Sequence, residues 1–177
     1  MMKETEAIVH MHLDSLPLKT YANIVEGNAL QMDWESVLPK HKASYIMGNP
    51  PFVGSKMMSD EQRNDMVLTF VNEKGAQTKS SGVLDYVAAW YYKASHFIMG
   101  TRIRAAYVST NSITQGEQVA ALWKPLYNMF CARIDFAHRT FKWNSEATEK
   151  AAVHCVIVGF SSGGNGNKII YYGKNRQ

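Results

Sequence analysis

The stretch that decides the fold is Tyr45-Ile46-Met47-Gly48-Asn49-Pro50-Pro51-Phe52-Val53-Gly54, an apolar run that ends in an Asn-Pro-Pro-Phe turn. Residues 45–47 predict a short buried strand. The two prolines forbid a helix and remove two backbone donors, so the chain should leave the sheet in a fixed, extended turn. We therefore expect the side chain of Asn49 to be held rigidly where a strand ends.

This turn offers two hydrogen-bond acceptors that could grip an amine: the side-chain oxygen of Asn49 and the backbone carbonyl of Pro50. The exocyclic amine of a nucleobase is a poor nucleophile because its lone pair is delocalised into the ring. Holding both of its N–H bonds localises the lone pair as the reaction proceeds. Phe52 would supply a stacking face for a base taken out of the duplex. An ordinary strand-ending Pro-Pro turn is the alternative.

Composition places the chain among globular proteins. Its 177 residues, of which 46% are hydrophobic, suffice for one domain with a sizeable core. The longest apolar candidate for a membrane span, residues 83–99, is interrupted by Asp85, Lys93 and His96, and the N-terminus lacks a signal-peptide core. We expect a cytoplasmic protein without a membrane partner. The net charge of +4 permits a nucleic-acid partner but does not require one.

The periodicity predicts alternating strands and helices. Predicted strands cover residues 23–26, 45–47, 104–109, 131–137, 151–160 and an edge strand at 168–172; predicted helices cover residues 34–38, 59–71, 83–100 and 118–130. Asp33 should cap the first helix, and Ser59 with Gln62 should form a capping box on the second. This alternation indicates an α/β sheet, and the final strand pair, joined without a helix, indicates an antiparallel strand.

Other polar residues are candidates for contact with ligands. The turn Thr110-Asn111-Ser112 ends a predicted strand, so it should share a rim with Asn49. Residues 138–143 mix cations with aromatic rings, which suits phosphate and base contact, although ordinary surface packing is the alternative. His154 is expected to be a satisfied core residue, and Cys131 and Cys155 are expected to be buried free thiols rather than metal ligands.

Asn49-Pro50-Pro51-Phe52 resembles motif IV of the S-adenosylmethionine-dependent amino-methyltransferases, which modify adenine N6, cytosine N4 or, in one branch, protein glutamine. The resemblance implies that these four residues are catalytic. Asn28 with Ala29 resembles motif III, where a polar residue lies against the cofactor's adenine. Asp85 resembles motif V, at the border of the cofactor and target pockets. Asn49 would also face the cofactor. A plain turn residue at Asn28 and a helix N-cap role for Asp85 stay open.

A second run carries the resemblance further. Residues 109–118, Ser-Thr-Asn-Ser-Ile-Thr-Gln-Gly-Glu-Gln, are similar to the corresponding region of the large, type IIG-like restriction–modification methyltransferases. The resemblance spans residues 23–160 and implies a Rossmann-like class I methyltransferase sheet, mostly parallel with its last strand antiparallel. It further implies S-adenosylmethionine as cofactor, no metal, and DNA with a flipped adenine as partner. The residues expected to contact DNA are Phe52, Lys56, Asn111, Arg139 and Lys142.

The sequence also departs from this family. The glycine-rich turn and the acidic residue that hold the cofactor should precede Asn28, but Gly27 is the only glycine before it. The first two strands therefore appear missing. They would lie between the strands at Ile24 and Ile46, leaving strand edges and apolar surface unpaired. We expect a helical remnant at residues 1–20, the C-terminal part of a catalytic domain at 21–162, and at 163–177 a glycine-rich turn that begins a missing recognition region.

These features predict a fragment of a DNA adenine-N6 methyltransferase. A partner chain or self-association could complete its sheet. One alternative is a non-catalytic remnant or split-enzyme subunit that needs a partner for cofactor binding. The other is an amino-methyltransferase acting on RNA or on protein glutamine.

Overall fold

The computed structural model describes residues 23–71, 76, 81–143, 153–164 and 166–172. The helical remnant expected at residues 1–20 lies outside these residues, as do residues 144–152. So do most of residues 72–80 and the last five residues of the chain.

Five strands form one sheet. They are β1 (Tyr45–Gly48), β2 (Arg104–Thr110), β3 (Ala132–Trp143), β4 (Val153–Ser162) and β5 (Ile169–Tyr171). The order across the sheet is β1-β2-β4-β3-β5. β1 is parallel to β2, β3 is parallel to β5, and β4 is antiparallel to both of its neighbours. Four strands thus run one way and β4, in the middle of the sheet, runs the other, which confirms the expected mostly parallel sheet with one antiparallel strand.

In the part of the chain that the structure describes, four α-helices accompany the sheet: α1 (Trp34–Val37), α2 (Asp60–Thr69), α3 (Ala88–Ile98) and α4 (Gly116–Phe130). Single 3-10 turns cover Lys40–Lys42, Ser55–Met57, Ser81–Val83 and Asn111–Thr114. The predicted caps are confirmed. Asp33 accepts a hydrogen bond from the Glu35 N–H, and Ser59 and Gln62 form both bonds of a capping box.

The core lies between one face of the sheet and the helices α3 and α4. At its centre the fully buried ring of Tyr91 packs on Tyr107 of β2, Trp123 of α4 and Phe160 of β4, with ring centroids 5.3, 5.6 and 5.3 Å away. The Tyr91 hydroxyl lies 2.7 Å from Ser109 Oγ, which satisfies it inside the core. These aromatic contacts fix both helices against β2 and β4.

The opposite face of the sheet is less covered. Side chains alternate between faces along a strand, so Tyr45, Met47 and Val108 point away from α3 and α4. Tyr45 is 70% and Met47 81% exposed, and β1 has a strand partner only on its β2 side in the described part of the chain. Large apolar side chains and a strand edge are therefore uncovered at the place where the sequence predicted missing strands.

Two predicted strands differ in the structure. Residues 23–26 form no strand, and Ile24 is 89% exposed. A stretch with no neighbouring strand cannot form the backbone hydrogen bonds of a sheet, so the strand propensity of its residues has no effect. β1 is a strand as predicted, but its side chains are largely exposed rather than buried, because β1 lies at the edge of the sheet.

Two further boundaries were wrong. The helix predicted over residues 83–100 begins at Ala88, so Asp85 precedes it and is not in its first turn. β3 extends to Trp143, six residues beyond the predicted end at residue 137, and so includes the stretch 138–143. β3 contains β-bulges between Ile134 and Phe136 and between His138 and Phe141. Each bulge interrupts the alternation of inward and outward side chains, so the sequence pattern predicted a strand that is too short.

Two side chains expected in the core are exposed. Cys131 is exposed because it ends α4 in the left-handed conformation, with φ of 53°. His154 is exposed because β4 extends beyond β2: the last β2–β4 pair is Thr110 with Cys155. Cys155 is a buried free thiol, as expected.

The pairing of Gly159 with Phe136 gives a test of this sheet. A Cβ at Gly159 would lie 2.1 Å from Phe136 Cε1, so the ring occupies the space that only glycine leaves. We expect Gly159→Ala to lower the free energy of unfolding by about 1–3 kcal/mol, because the ring must move. Denaturant unfolding measures this change. Adding Phe136→Leu should recover part of the loss; equal losses in both backgrounds would contradict the ring contact.

Candidate target-base site

Asn49 lies at the carboxyl end of β1. Gly48 is the last residue of β1 and pairs with Tyr107 of β2, so Asn49 follows at the edge where both parallel strands end. A Cβ at Gly48 would come within 3.2 Å of the Tyr107 ring, so glycine allows β1 to pack closely there. The Asn49 side chain is exposed and has no hydrogen-bond partner among the described residues, so its oxygen is available to an incoming amine.

The rest of the Asn-Pro-Pro-Phe turn is held in place. Pro50 is buried and Phe52 is half-buried. Just after the turn, the Val53 carbonyl accepts a hydrogen bond from the Tyr86 N–H at 2.9 Å, and the Ser55 N–H donates to Asp85 Oδ1 at 2.9 Å. Two hydrogen bonds thus connect the chain that leaves the turn to residues 85 and 86. They add to the rigidity expected from the two prolines.

Asp85 connects this turn to the end of β2. Its second oxygen, Oδ2, accepts a hydrogen bond from the Ser112 hydroxyl at 2.5 Å and lies 3.5 Å from the Thr110 hydroxyl. The Asp85 backbone N–H donates to Gln118 Oε1 of α4 at 3.2 Å. The turn predicted at residues 110–112 therefore lies on the same rim as Asn49. The predicted helix-capping role of Asp85 is wrong, since its carboxylate bonds to loops rather than to its own helix.

A second carboxylate, Asp65 of α2, was not identified from the sequence. It is 3% exposed, and its partners are the Tyr86 hydroxyl at 2.6 Å, Gln31 Nε2 at 2.7 Å and Asn28 Nδ2 at 2.9 Å. Burial raises the pKa of Asp65, but these three hydrogen bonds outweigh it and lower the pKa below its ordinary value. Burial and the bond to Asp65 in turn raise the pKa of Tyr86. No local pattern marks Asp65, because its partners are 21 to 37 residues away.

The proposed cofactor-side turn is built by Asn28 and Ala29. Besides its bond to Asp65, Asn28 accepts a hydrogen bond through Oδ1 from the Leu30 N–H at 2.9 Å. The Ala29 carbonyl accepts one from Trp34 Nε1 at 2.7 Å. The side chain of Asn28 thus stabilises the turn through Oδ1 and one N–H of its amide, and the second N–H of that amide takes part in neither of these hydrogen bonds. The described residues supply no glycine-rich cradle, so they do not form a complete site for a methyl donor.

The residues expected to contact DNA lie at different distances from the carboxyl ends of β1 and β2, where Asn49 is found. Lys56 is exposed in the 3-10 turn after Phe52, and Asn111 is half-buried at the end of β2. Lys142 is exposed and pairs with His154, one pair beyond the last β2–β4 pair, so it projects past the edge of the sheet. Arg139 lies farther along the sheet, 5.2 Å from the Tyr172 ring.

The described residues show neither a cluster of metal-ligating side chains nor a membrane-spanning helix. Within the described ranges, no group of three or more His, Cys, Asp or Glu side chains is placed to hold a metal ion. None of the helices described is long and apolar enough to cross a membrane.

Comparison with known proteins identifies the family. A family model described as the DNA-methyltransferase domain of MmeI matches residues 1–172. The chain belongs to the MmeI DNA-methyltransferase domain family. This confirms the resemblance to restriction–modification methyltransferases that the Asn-Pro-Pro-Phe turn and residues 109–118 predicted.

Two relatives show how much of this family the chain covers. DNA methyltransferase A of Bacillus subtilis (strain 168) is 41% identical over 148 residues, which are 82% of this chain and 16% of the relative. The structure of the type IIL restriction–modification enzyme MmeI in complex with DNA matches with a TM-score of 0.81 and 46% identity. That match covers 97% of this chain and 22% of MmeI. The chain thus spans about a fifth of these MmeI-type relatives.

The lowered pKa of Asp65 predicts a dependence of stability on pH. A carboxyl group whose pKa is lower in the folded state stabilises the fold at pH values above its unfolded pKa, about 3.9. This contribution is lost as the pH falls through the folded pKa. We expect the free energy of unfolding to decrease below about pH 4 and Asp65→Asn to remove part of that decrease. Denaturant unfolding between pH 2 and 7 measures both; an unchanged slope in Asp65→Asn would contradict the prediction.

Proposed function

We propose that this chain is the target-base part of a DNA methyltransferase that transfers a methyl group from S-adenosylmethionine to the N6 amine of adenine. The observation that carries the proposal is the exposed, unpaired amide of Asn49 in a turn fixed by Pro50 and Asp85. Membership of the MmeI DNA-methyltransferase domain family supports the reaction class. A cytoplasmic location belongs to the same proposal.

In this reaction Asn49 Oδ1 and the Pro50 carbonyl accept the two N–H bonds of the adenine amine. Both acceptors are neutral, so they orient the amine and localise its lone pair rather than act as bases, and the proton that the amine loses as the N–CH3 bond forms would pass to solvent water. Pro51 keeps the backbone extended, so the two acceptors stay fixed relative to each other. Phe52 stacks on the flipped base and defines its plane. The fixed geometry favours the transition state because nothing has to reorganise during the transfer.

For the cofactor we propose S-adenosylmethionine as methyl donor, with Asn28, Ala29 and Asn49 facing it. The described residues provide only this side of its site. The exposed edge of β1 is the place where additional strands, from elsewhere in the protein or from a partner chain, would complete the sheet. Their cofactor-binding loops would then lie near Asn28.

For the DNA we propose contacts from Phe52 to the flipped base and from Lys56, Asn111, Arg139 and Lys142 to the surrounding strand. The three cations among them are exposed. Asn111 directly follows β2, and Lys56 lies in the 3-10 turn Ser55–Met57, shortly after the Asn-Pro-Pro-Phe turn. The MmeI structure, which is of a DNA complex, supports DNA as the partner. Adenine rather than cytosine is proposed because the Asn-Pro-Pro-Phe turn resembles that of the adenine enzymes.

The proposal is tested by calorimetric titration of the purified chain with S-adenosylmethionine, followed by assays of methyl transfer to DNA, RNA and peptide. Transfer of the methyl group to adenine N6 in DNA would support it. Transfer to RNA or to glutamine alone would overturn the choice of substrate. If the chain binds no cofactor alone, the assay is repeated with a second chain that carries a glycine-rich cofactor-binding strand–turn–helix, and an inactive combination would overturn the enzyme proposal.

In a preparation that methylates DNA, we expect Asn49→Ala to reduce kcat at least 100-fold, because it removes an acceptor that acts on the developing charge of the amine. The affinity for S-adenosylmethionine should change little. Single-turnover methyl transfer and calorimetry measure the two effects. Activity retained within tenfold would rule out the gripping role of Asn49.

Phe52→Ala should weaken catalysis by roughly 1–3 kcal/mol, the contribution of a base–aromatic stack. Phe52→Leu is the matched control, because leucine keeps much of the apolar volume in this half-buried position but lacks the ring. We expect Phe52→Leu to restore the free energy of unfolding without restoring kcat/KM. If leucine restores both, the ring serves packing and does not stack on the base.

A further inference from the structure

The contacts of Asp85 distinguish two roles for this residue. Resemblance to motif V suggested that it borders the cofactor. In the structure Asp85 as a whole is 9% exposed, and both of its carboxylate oxygens accept hydrogen bonds from the protein. Oδ1 accepts from the Ser55 N–H and Oδ2 accepts from the Ser112 hydroxyl, while the Thr110 hydroxyl, 3.5 Å from Oδ2, donates its proton to Ser112 Oγ. The carboxylate is thus hydrogen-bonded to the protein through both oxygens, which favours a structural role over contact with a ligand.

These donors come from two separate parts of the rim. Ser55 lies six residues beyond Asn49, on the chain that leaves the Asn-Pro-Pro-Phe turn. Thr110 and Ser112 lie at the end of β2, and their hydroxyls also bond to each other at 2.8 Å. One carboxylate therefore ties the turn to the neighbouring strand. Hydrogen bonds to an ionised acceptor are stronger than neutral ones, which suits a fixed connection.

The adjacent backbone strengthens this connection. Tyr86 donates its N–H to the Val53 carbonyl at 2.9 Å, while the Asp85 N–H donates to Gln118 Oε1 of α4 at 3.2 Å. The segment 85–86 thus bonds on one side to residues 53 and 55 and on the other to β2 and α4. Its position is set by the core, because Leu84 and Val87 on either side of it are fully buried.

We propose that Asp85 is a positioning residue that holds the Asn49–Phe52 turn at the end of β2, and that it is not a ligand of the methyl donor. The positioning role of Asp85 does not depend on the proposed function; only its expected effect on catalysis rests on that function. Asp85 acts through Ser55 and Val53, which fix the direction in which the chain leaves Phe52. Loss of this anchor would let the two acceptors of Asn49 and Pro50 move relative to the amine.

Amide hydrogen exchange tests the positioning role on the full 177-residue chain without any cofactor. In Asp85→Ala we expect the Ser55 amide to exchange at least tenfold faster, because its acceptor is gone. Asp135→Ala is the control: Asp135 accepts a hydrogen bond from Ser161 Oγ at 2.8 Å, at the opposite end of the sheet. It should leave Ser55 unchanged. Unchanged exchange at Ser55 in Asp85→Ala would overturn the proposal.

Asp85→Asn separates positioning from ligand binding. Its amide oxygen can accept from the Ser55 N–H and its amide nitrogen can donate to the hydroxyl oxygens of Ser112 or Thr110. A positioning role predicts that Asn restores Ser55 protection to within about threefold of the wild type. If Asp85→Ala does not fold, Ser112→Ala is measured instead, and it should accelerate Ser55 exchange because it loosens the carboxylate. Failure of asparagine to restore protection would overturn the proposal.

The catalytic consequence is measured in a preparation that methylates DNA. We expect Asp85→Ala to lower kcat at least tenfold while KM for S-adenosylmethionine stays within twofold, and Asp85→Asn to recover most of kcat. An increase in KM in both variants, without faster Ser55 exchange, would assign Asp85 to the cofactor site instead. Absence of methyl transfer in the wild type would reject the proposed function. The positioning role of Asp85 would still be decided by the exchange of the Ser55 amide.

Discussion

The parallel pairing of β1 with β2 is the constraint on which the site depends. Gly48 opposite Tyr107 places the end of β1 beside β2, three residues before β2 itself ends at Thr110. Because of this stagger, Asp85 can reach Ser55 on one side and Thr110 and Ser112 on the other. A shift of one residue would turn Gly48 away from the Tyr107 ring and exchange the faces of β1. The geometry at Asn49 is thus set by the pairing of two short strands.

Local signals in the sequence predicted the parts of the fold that depend on local physics. The caps at Asp33 and Ser59 and the extended turn at Pro50 each follow from backbone groups within a few residues of one another. The position of β4 also followed from its apolar run, although its N-terminal end extends beyond the core. These features could be predicted because neighbouring residues alone decide them.

Features that depend on distant partners were missed or misplaced. Asp65 looks like an ordinary polar residue of α2, and its importance depends on Asn28, Gln31 and Tyr86, which only the fold brings together. The length of β3 was hidden by two bulges, which are recognised from pairing with β4. The stretch at residues 23–26 has strand-like composition but no strand beside it. In each case the deciding interaction is not encoded in local sequence.

The target-base turn is positioned from only one face of the sheet. Its direct anchors, Asp85 and Tyr86, lie between Leu84 and Val87, which are fully buried in the core with Tyr91 and Leu122. The uncovered face carries Tyr45 and Met47 and contributes none of the hydrogen bonds that hold Val53 and Ser55. Because Asp65 and Asp85 are balanced by neutral donors, holding the turn does not require burying a compensating cation as well. The geometry around Asn49 therefore depends on the covered face of the sheet, whereas the methyl-donor site proposed above would depend on strands that pair with the open edge of β1.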